Sequence, residues 1–90
     1  MIKIKKEYMK RSVAGEDIVV PTGSAVAKHN GIFVLTETGA MIWDLILDGT
    51  DEKGITEKIA EEFDVDISTA QRDVSAFLGK MKEFGIVYSD

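Results

Sequence analysis

Cysteine is absent from these 90 residues. That excludes disulfides, thiolate metal sites, iron–sulfur clusters and a cysteine nucleophile, and it fits a reducing compartment. Histidine occurs once, at His29, beside a turn signal. No imidazole cluster is available for a metal, and a serine nucleophile would have a single ring to serve it. Ser12, Ser24, Ser68, Ser75 and Ser89 sit in no G-x-S-x-G elbow. Neither G-x-G-x-x-G nor a Walker loop is present to cradle phosphate. Asp64-Val65-Asp66 begins like a calcium loop but lacks the glycine and runs on into a helix start. Glu61 and Glu62 are adjacent on a helix and face different ways, a poor acid–base pair. No apolar run approaches the roughly 20 residues that cross a bilayer. The opening MIKIKKEYMKR is basic without a continuous apolar segment, so it does not read as a secretory signal. These absences together lead us to expect a cytoplasmic protein that is not an enzyme, with no cofactor, no metal and no membrane partner.

What is present suits one small folded domain. An apolar fraction of 44% and a charged fraction of 30% belong to a globular chain rather than a disordered one. A chain this long buries roughly 60–65% of the surface its unfolded form exposes, enough for one modest core. The charge is divided. Residues 1–11 carry a net of +4, leaving −9 for the rest and −5 overall. We therefore expect a basic N-terminal arm at residues 1–7 and a single domain at residues 8–90. The acidic body repels phosphate. The arm reads most simply as a solvated end.

The first third is β-like. Tyr8 to Ala14 reads as a strand, Gly15-Glu16 as a turn, and Asp17 to Pro21 as a second, β-branched strand. Pro21 has no amide hydrogen for a ladder, so it ends that strand or lies at an edge. Ala25 to Lys28 reads as a short extended piece. Asn30-Gly31 signals a tight turn before a last strand, Ile32 to Leu35.

The hydrophobic period then changes. Thr36 is placed to cap a helix, with Glu37 at its positive end, and Ala40, Trp43 and Leu47 on one face. Asp48-Gly49 stops it. A second helix begins near Thr50-Asp51, with a stripe of Ile55, Ile59, Ala60 and Phe63 and an unfavourable Gly54 in its first turn. Ser68-Thr69-Ala70-Gln71 has the capping-box pattern for a third helix. Ala70, Val74, Phe77, Leu78, Met81 and Phe84 are its apolar face, and Gly85 its exit. The order predicts an α+β, winged-helix-like domain: an N-terminal antiparallel β-sheet of three (or four) strands followed by a three-helix bundle.

Three functions compete for such a fold. A DNA-binding regulator needs basic and amide side chains on its reading helix. Gln71, Arg72, Lys80 and Lys82 are set there against Asp73 and Glu83, on an acidic body. Nucleic acid is therefore not the expected partner. A homodimer could pair through an apolar strand edge. A peptide could add to the same edge as one more strand, its affinity set by main-chain hydrogen bonds and its specificity by side-chain pockets.

The sequence resembles the PqqD-like family, the pyrroloquinoline-quinone synthesis protein D group, also known as the RiPP precursor peptide recognition element. The carriers are Gly15-Glu16-Asp17-Ile18-Val19-Val20-Pro21, then Leu35-Thr36-Glu37-Thr38-Gly39-Ala40 into Ile42-Trp43, then Asp48-Gly49. Glu61-Glu62-Phe63-Asp64-Val65, Asp73-Val74 with Phe77-Leu78, and Gly85-Ile86-Val87 continue it, so that it spans roughly Tyr8 to Tyr88. Thr36 departs from the family's usual asparagine, and both residues can cap a helix. The resemblance implies a non-catalytic chaperone. It captures the leader of a ribosomally made precursor peptide and presents it to a modifying enzyme, often a radical SAM protein. It further implies that the leader lies along Ile32, Phe33, Val34 and Leu35, facing Arg72, Asp73, Ala76, Phe77 and Lys80 on the third helix.

Overall fold

The computed structural model describes residues 1–28 and 32–90. The expected Asn30-Gly31 turn and His29 lie outside the described residues. Strand β1 (Ile2–Ile4) is followed by β2 (Tyr8–Val13) and β3 (Glu16–Pro21), then a short helix α1 (Ala25–Lys28) and strand β4 (Phe33–Leu35). Helices α2 (Glu37–Leu47), α3 (Glu52–Phe63) and α4 (Ile67–Glu83) come next, and β5 (Val87–Ser89) closes the chain. The architecture is α+β, as the sequence predicts: an antiparallel sheet in the order β2-β3-β4, then three long helices.

The β2–β3 hairpin is in register from Tyr8↔Pro21 to Val13↔Glu16. Its turn is Ala14-Gly15, one residue earlier than expected, and both residues have positive φ, 52° and 81°. Two left-handed residues match the twist of the flanking strands. Pro21 ends β3, as its missing amide requires. Ala25 to Lys28 is not the extended piece expected. The Thr22 and Gly23 carbonyls accept from the Ala25 and Val26 amides, and burial of Ala25 holds the resulting turn of helix.

No strand is expected before Tyr8, yet Ile2–Ile4 pairs antiparallel with Val87–Ser89 as a separate two-stranded sheet. Ile2 and Ile4 pack on the core, which ties the basic segment down. The Lys3 ammonium lies 2.9 Å from the Asp90 carboxylate, and the terminal amine donates to the Asp90 carbonyl. Pairing with Lys3 holds the Asp90 carboxyl below its ordinary range.

The core is one cluster. Trp43, Ile42, Ile55, Ile59, Ile86, Val19 and Val74 are its largest fully buried side chains, so every long helix, β3 and the approach to β5 contribute. Ile55 and Ile59 face inward as their spacing predicts, while Glu57, Lys58, Glu61 and Glu62 are exposed. Leu47 is a correction: expected on the buried face of α2, it is 63% exposed in the helix's last turn.

Each long helix starts on a side-chain oxygen. Thr36 accepts from the Gly39 amide (3.0 Å), Asp51 from Gly54 (2.8 Å) and Asp66 from Thr69 (2.8 Å). Gly54 has a reason to be there: a Cβ would sit 2.8 Å from the Thr50 side chain. For α4 the cap is Asp66, two residues before the expected Ser68. Ser68 instead donates its hydroxyl to Asp66. These bonds to the charged form keep the Asp66 carboxyl below its ordinary range.

Ala14 and Asp64 are non-glycine residues at positive φ, where a Cβ is disfavoured, and alanine lacks the short polar side chain that eases this conformation for aspartate. Ala14→Asn should stabilise the domain by about 0.5–1 kcal/mol, since asparagine tolerates this conformation. A rise in thermal midpoint of a few degrees would show it, and an unchanged or lower midpoint would refute it.

Candidate functional site

The site grows from the junction of β4 and α2. β4 pairs with β3 through Val19↔Phe33, Ile18↔Val34 and Asp17↔Leu35. Among the described residues no strand lies on its other side. Alternate residues of an antiparallel strand turn their N–H and C=O groups away from a given neighbour, so this side of β4 is one to which a further strand could be added. The side chains alternate as well. Phe33 and Leu35 are half-buried, whereas Val34 is 62% exposed, with Ile32 just before the strand also exposed.

Beside this edge runs a groove. Its floor is the first turn of α2 and its far wall is α4. One part, about 230 Å³, is lined by Phe33, Val34, Leu35, Thr36, Gly39, Phe77, Lys80 and Met81. The adjoining part, about 350 Å³, is lined by Thr36, Thr38, Gly39, Ile42, Asp73, Ala76 and Phe77. Thr36, Gly39 and Phe77 line both, so the two parts adjoin across the Phe77 ring. Asp73, Ala76, Phe77 and Lys80 stand at i, i+3, i+4 and i+7, which is one face of a helix.

Two contacts set its width. A Cβ on Gly39 would lie 3.2 Å from the Phe77 ring and 3.4 Å from Thr36 Oγ1, so glycine lets that ring settle against the first turn of α2. At the other end, the Phe33 and Phe84 rings meet at 4.9 Å and 57°, pinning the start of β4 to the end of α4. A tilted aromatic pair at this distance is favourable. The middle of the groove is apolar. An acid, Asp73, lies at one end and a base, Lys80, at the other.

Of the nine residues expected from the sequence, seven line this groove: Phe33, Val34, Leu35, Asp73, Ala76, Phe77 and Lys80. Ile32 is exposed beyond the start of the strand, outside the lining. Arg72 is exposed on α4 and also outside it. Thr36, Thr38, Gly39, Ile42 and Met81 line the groove without having been expected there. A glycine inside an otherwise apolar helix, costing about 1 kcal/mol against alanine, was the signal for Gly39.

Other chemistries find less support. Among the described residues, no group of three His, Asp or Glu could hold a metal. None of their helices is long and apolar enough to cross a membrane. On α4, the Gln71 amide donates to Glu52 (3.2 Å) and Ser75, so this side chain is held to the protein rather than offered to base edges.

Comparison with known proteins adds the following. The family model for coenzyme PQQ synthesis protein D (PqqD) matches residues 16–87. No curated protein matches. Two solved structures share the fold over nearly the whole chain. TbiB1, in complex with the TbiA(beta) leader peptide, superposes with a TM-score of 0.79 at 24% identity, covering 98% of this chain and 99% of that one. Lasso peptide synthetase B1, complexed with its leader peptide, gives 0.81 at 20% identity, with 98% of each chain covered.

The Gly39–Phe77 contact makes a direct prediction. Gly39→Val should overpack the groove floor and destabilise the domain by about 1–3 kcal/mol, despite removing a helical glycine. Urea unfolding would measure it; a variant as stable as the parent would show that the ring can move aside freely.

Proposed function

The chain belongs to the coenzyme PQQ synthesis protein D family, and from that premise we propose that it is a non-catalytic adaptor for the leader of a ribosomally made precursor peptide. The leader adds as a strand to the open edge of β4, with alternate side chains in the groove below α4. It is thereby presented to a peptide-modifying enzyme, for which a radical SAM protein is the proposed class. The single observation that carries this reading is that β4, the last strand of its sheet among the described residues, runs alongside an apolar groove. Neither feature alone calls for a peptide; side by side they match strand addition, which needs main-chain partners and side-chain pockets at once. The two leader-peptide complexes of the same fold support it.

All nine residues expected from the sequence keep a role in this proposal. Phe33, Val34 and Leu35 supply the edge, and Ile32 extends it. Ala76 and Phe77 shape the apolar middle, Asp73 and Lys80 the charged ends. Arg72 lies one residue from Asp73 and is proposed to meet the leader outside the groove. Every lining residue of the groove lies between residues 33 and 81, and residues 1–7 are proposed to play no part in holding the peptide. Pairing of two copies through β4 would compete for the same edge. Binding to DNA is disfavoured by the acidic body.

Titration of isotope-labelled protein with the leader encoded beside its gene should move amide signals at residues 33–36, 39 and 73–80. No change there, or changes confined to the β2 edge, would overturn the reading. Ala76→Trp fills the groove from an exposed helix position, so the fold should survive. It should weaken leader binding at least tenfold, about 1.4 kcal/mol, with little change in thermal midpoint.

A further inference from the structure

The charges along the groove select a leader by the order of its own charges, an inference that rests on the strand-addition reading above. β4 and α4 run in opposite directions along the groove. The part of the groove that holds Lys80 is lined by Phe33, Val34 and Leu35; the part that holds Asp73 is lined by Thr36 and Thr38, further along the chain. Travelling with β4 therefore leads from the base to the acid. Every strand pair in the described structure is antiparallel. An added strand that keeps this pattern, whose ladder is slightly more stable per residue than a parallel one, enters at the Asp73 end and leaves at the Lys80 end.

The spacing then fixes which positions can be read. Asp73 and Lys80 are seven residues apart on a helix, about 10.5 Å. Groove-facing side chains of a strand recur every second residue, at about 6.8 Å intervals. Three successive groove-facing positions span about 13.6 Å, a difference that a lysine stem and a peptide side chain can absorb. Between the two charges, the Phe77 ring, packed on the Gly39 backbone, presents an apolar surface shared by both parts of the groove.

We propose that the leader bound by this protein carries a basic residue, an apolar residue two positions later and an acidic residue two positions after that, read by Asp73, by the Phe77 surface and by Lys80. The reverse order would set lysine against lysine and acid against acid. The groove thus distinguishes two peptides of the same composition, a selectivity that an apolar groove alone lacks.

Three dye-labelled ten-residue peptides test this, each with the same β-forming residues around the three groove positions: one basic–apolar–acidic, one acidic–apolar–basic, and one with glutamine at both ends. Fluorescence anisotropy at low salt should show the first binding roughly tenfold more tightly than the second, with the neutral peptide between them. The preference should shrink at high salt. It should reverse in the double variant carrying Asp73→Lys and Lys80→Glu, both exposed positions whose exchange leaves the fold intact by thermal melting. Equal affinity of the two charged peptides, or a preference that persists unchanged in the double variant, overturns the charge-order inference while leaving leader binding standing. Failure of all three peptides and of the protein's own encoded leader to bind would overturn the adaptor reading, and this inference with it.

Discussion

The structure depends on the absence of a loop between β4 and α2. Leu35 ends the strand, and the next residue, Thr36, already caps the helix through the Gly39 amide. A strand and a helix joined by one residue cannot move independently. The angle between them is held further by Trp43 and Ile42, which place the same helix deep in the common core. The open edge of β4 therefore sits at a set distance from the first turn of α2. A site on this frame is assembled before any partner arrives, which lowers the ordering cost of binding.

α4 completes the arrangement from the other side. Its buried stripe of Ala70, Val74, Leu78 and Met81 seats it on the core. The neighbouring face, from Asp73 to Lys80, is left over the groove. One helix thus performs two tasks through two adjacent faces. Phe77 lies at the boundary between them: half-buried, packed against Gly39, and still part of the groove wall. The apolar middle of the site is in this sense a continuation of the core, exposed because the sheet ends at β4.

Local signals in the sequence carried much of the fold. Periodicity located the inward faces of α3 and α4, Thr36 announced the start of α2, and Gly49 and Gly85 follow the ends of α2 and α4. Errors came where the deciding partner is distant in sequence. Ile2–Ile4 is a strand only because Val87–Ser89 lies beside it, and a short run broken by lysines gives no local sign of that. Ala25–Lys28 is too short for its period to be read. Asp66 and Ser68 are both good caps, and only the backbone decides between them. For the candidate site, the family resemblance named a strand and a helix face that the structure brings together along one groove. Gly39 was among the residues that carry the resemblance, but its contact with Phe77 could not be read there, because a close approach between two helices is a tertiary fact.

The pairing of β1 with β5 bears on how such a domain can be tethered. It brings the first and last residues side by side, with the Met1 amine on the Asp90 carbonyl. These ends lie against the far part of α2, near Ile46, Leu47 and Gly49, while the groove is built on its first turn. The helix is 11 residues long, so the two places are about 15 Å apart along its axis. A linker attached at either end would leave from the same spot and trace the same reach. The local concentration of the groove around any domain fused to it would then follow from linker length alone, whichever end carried it.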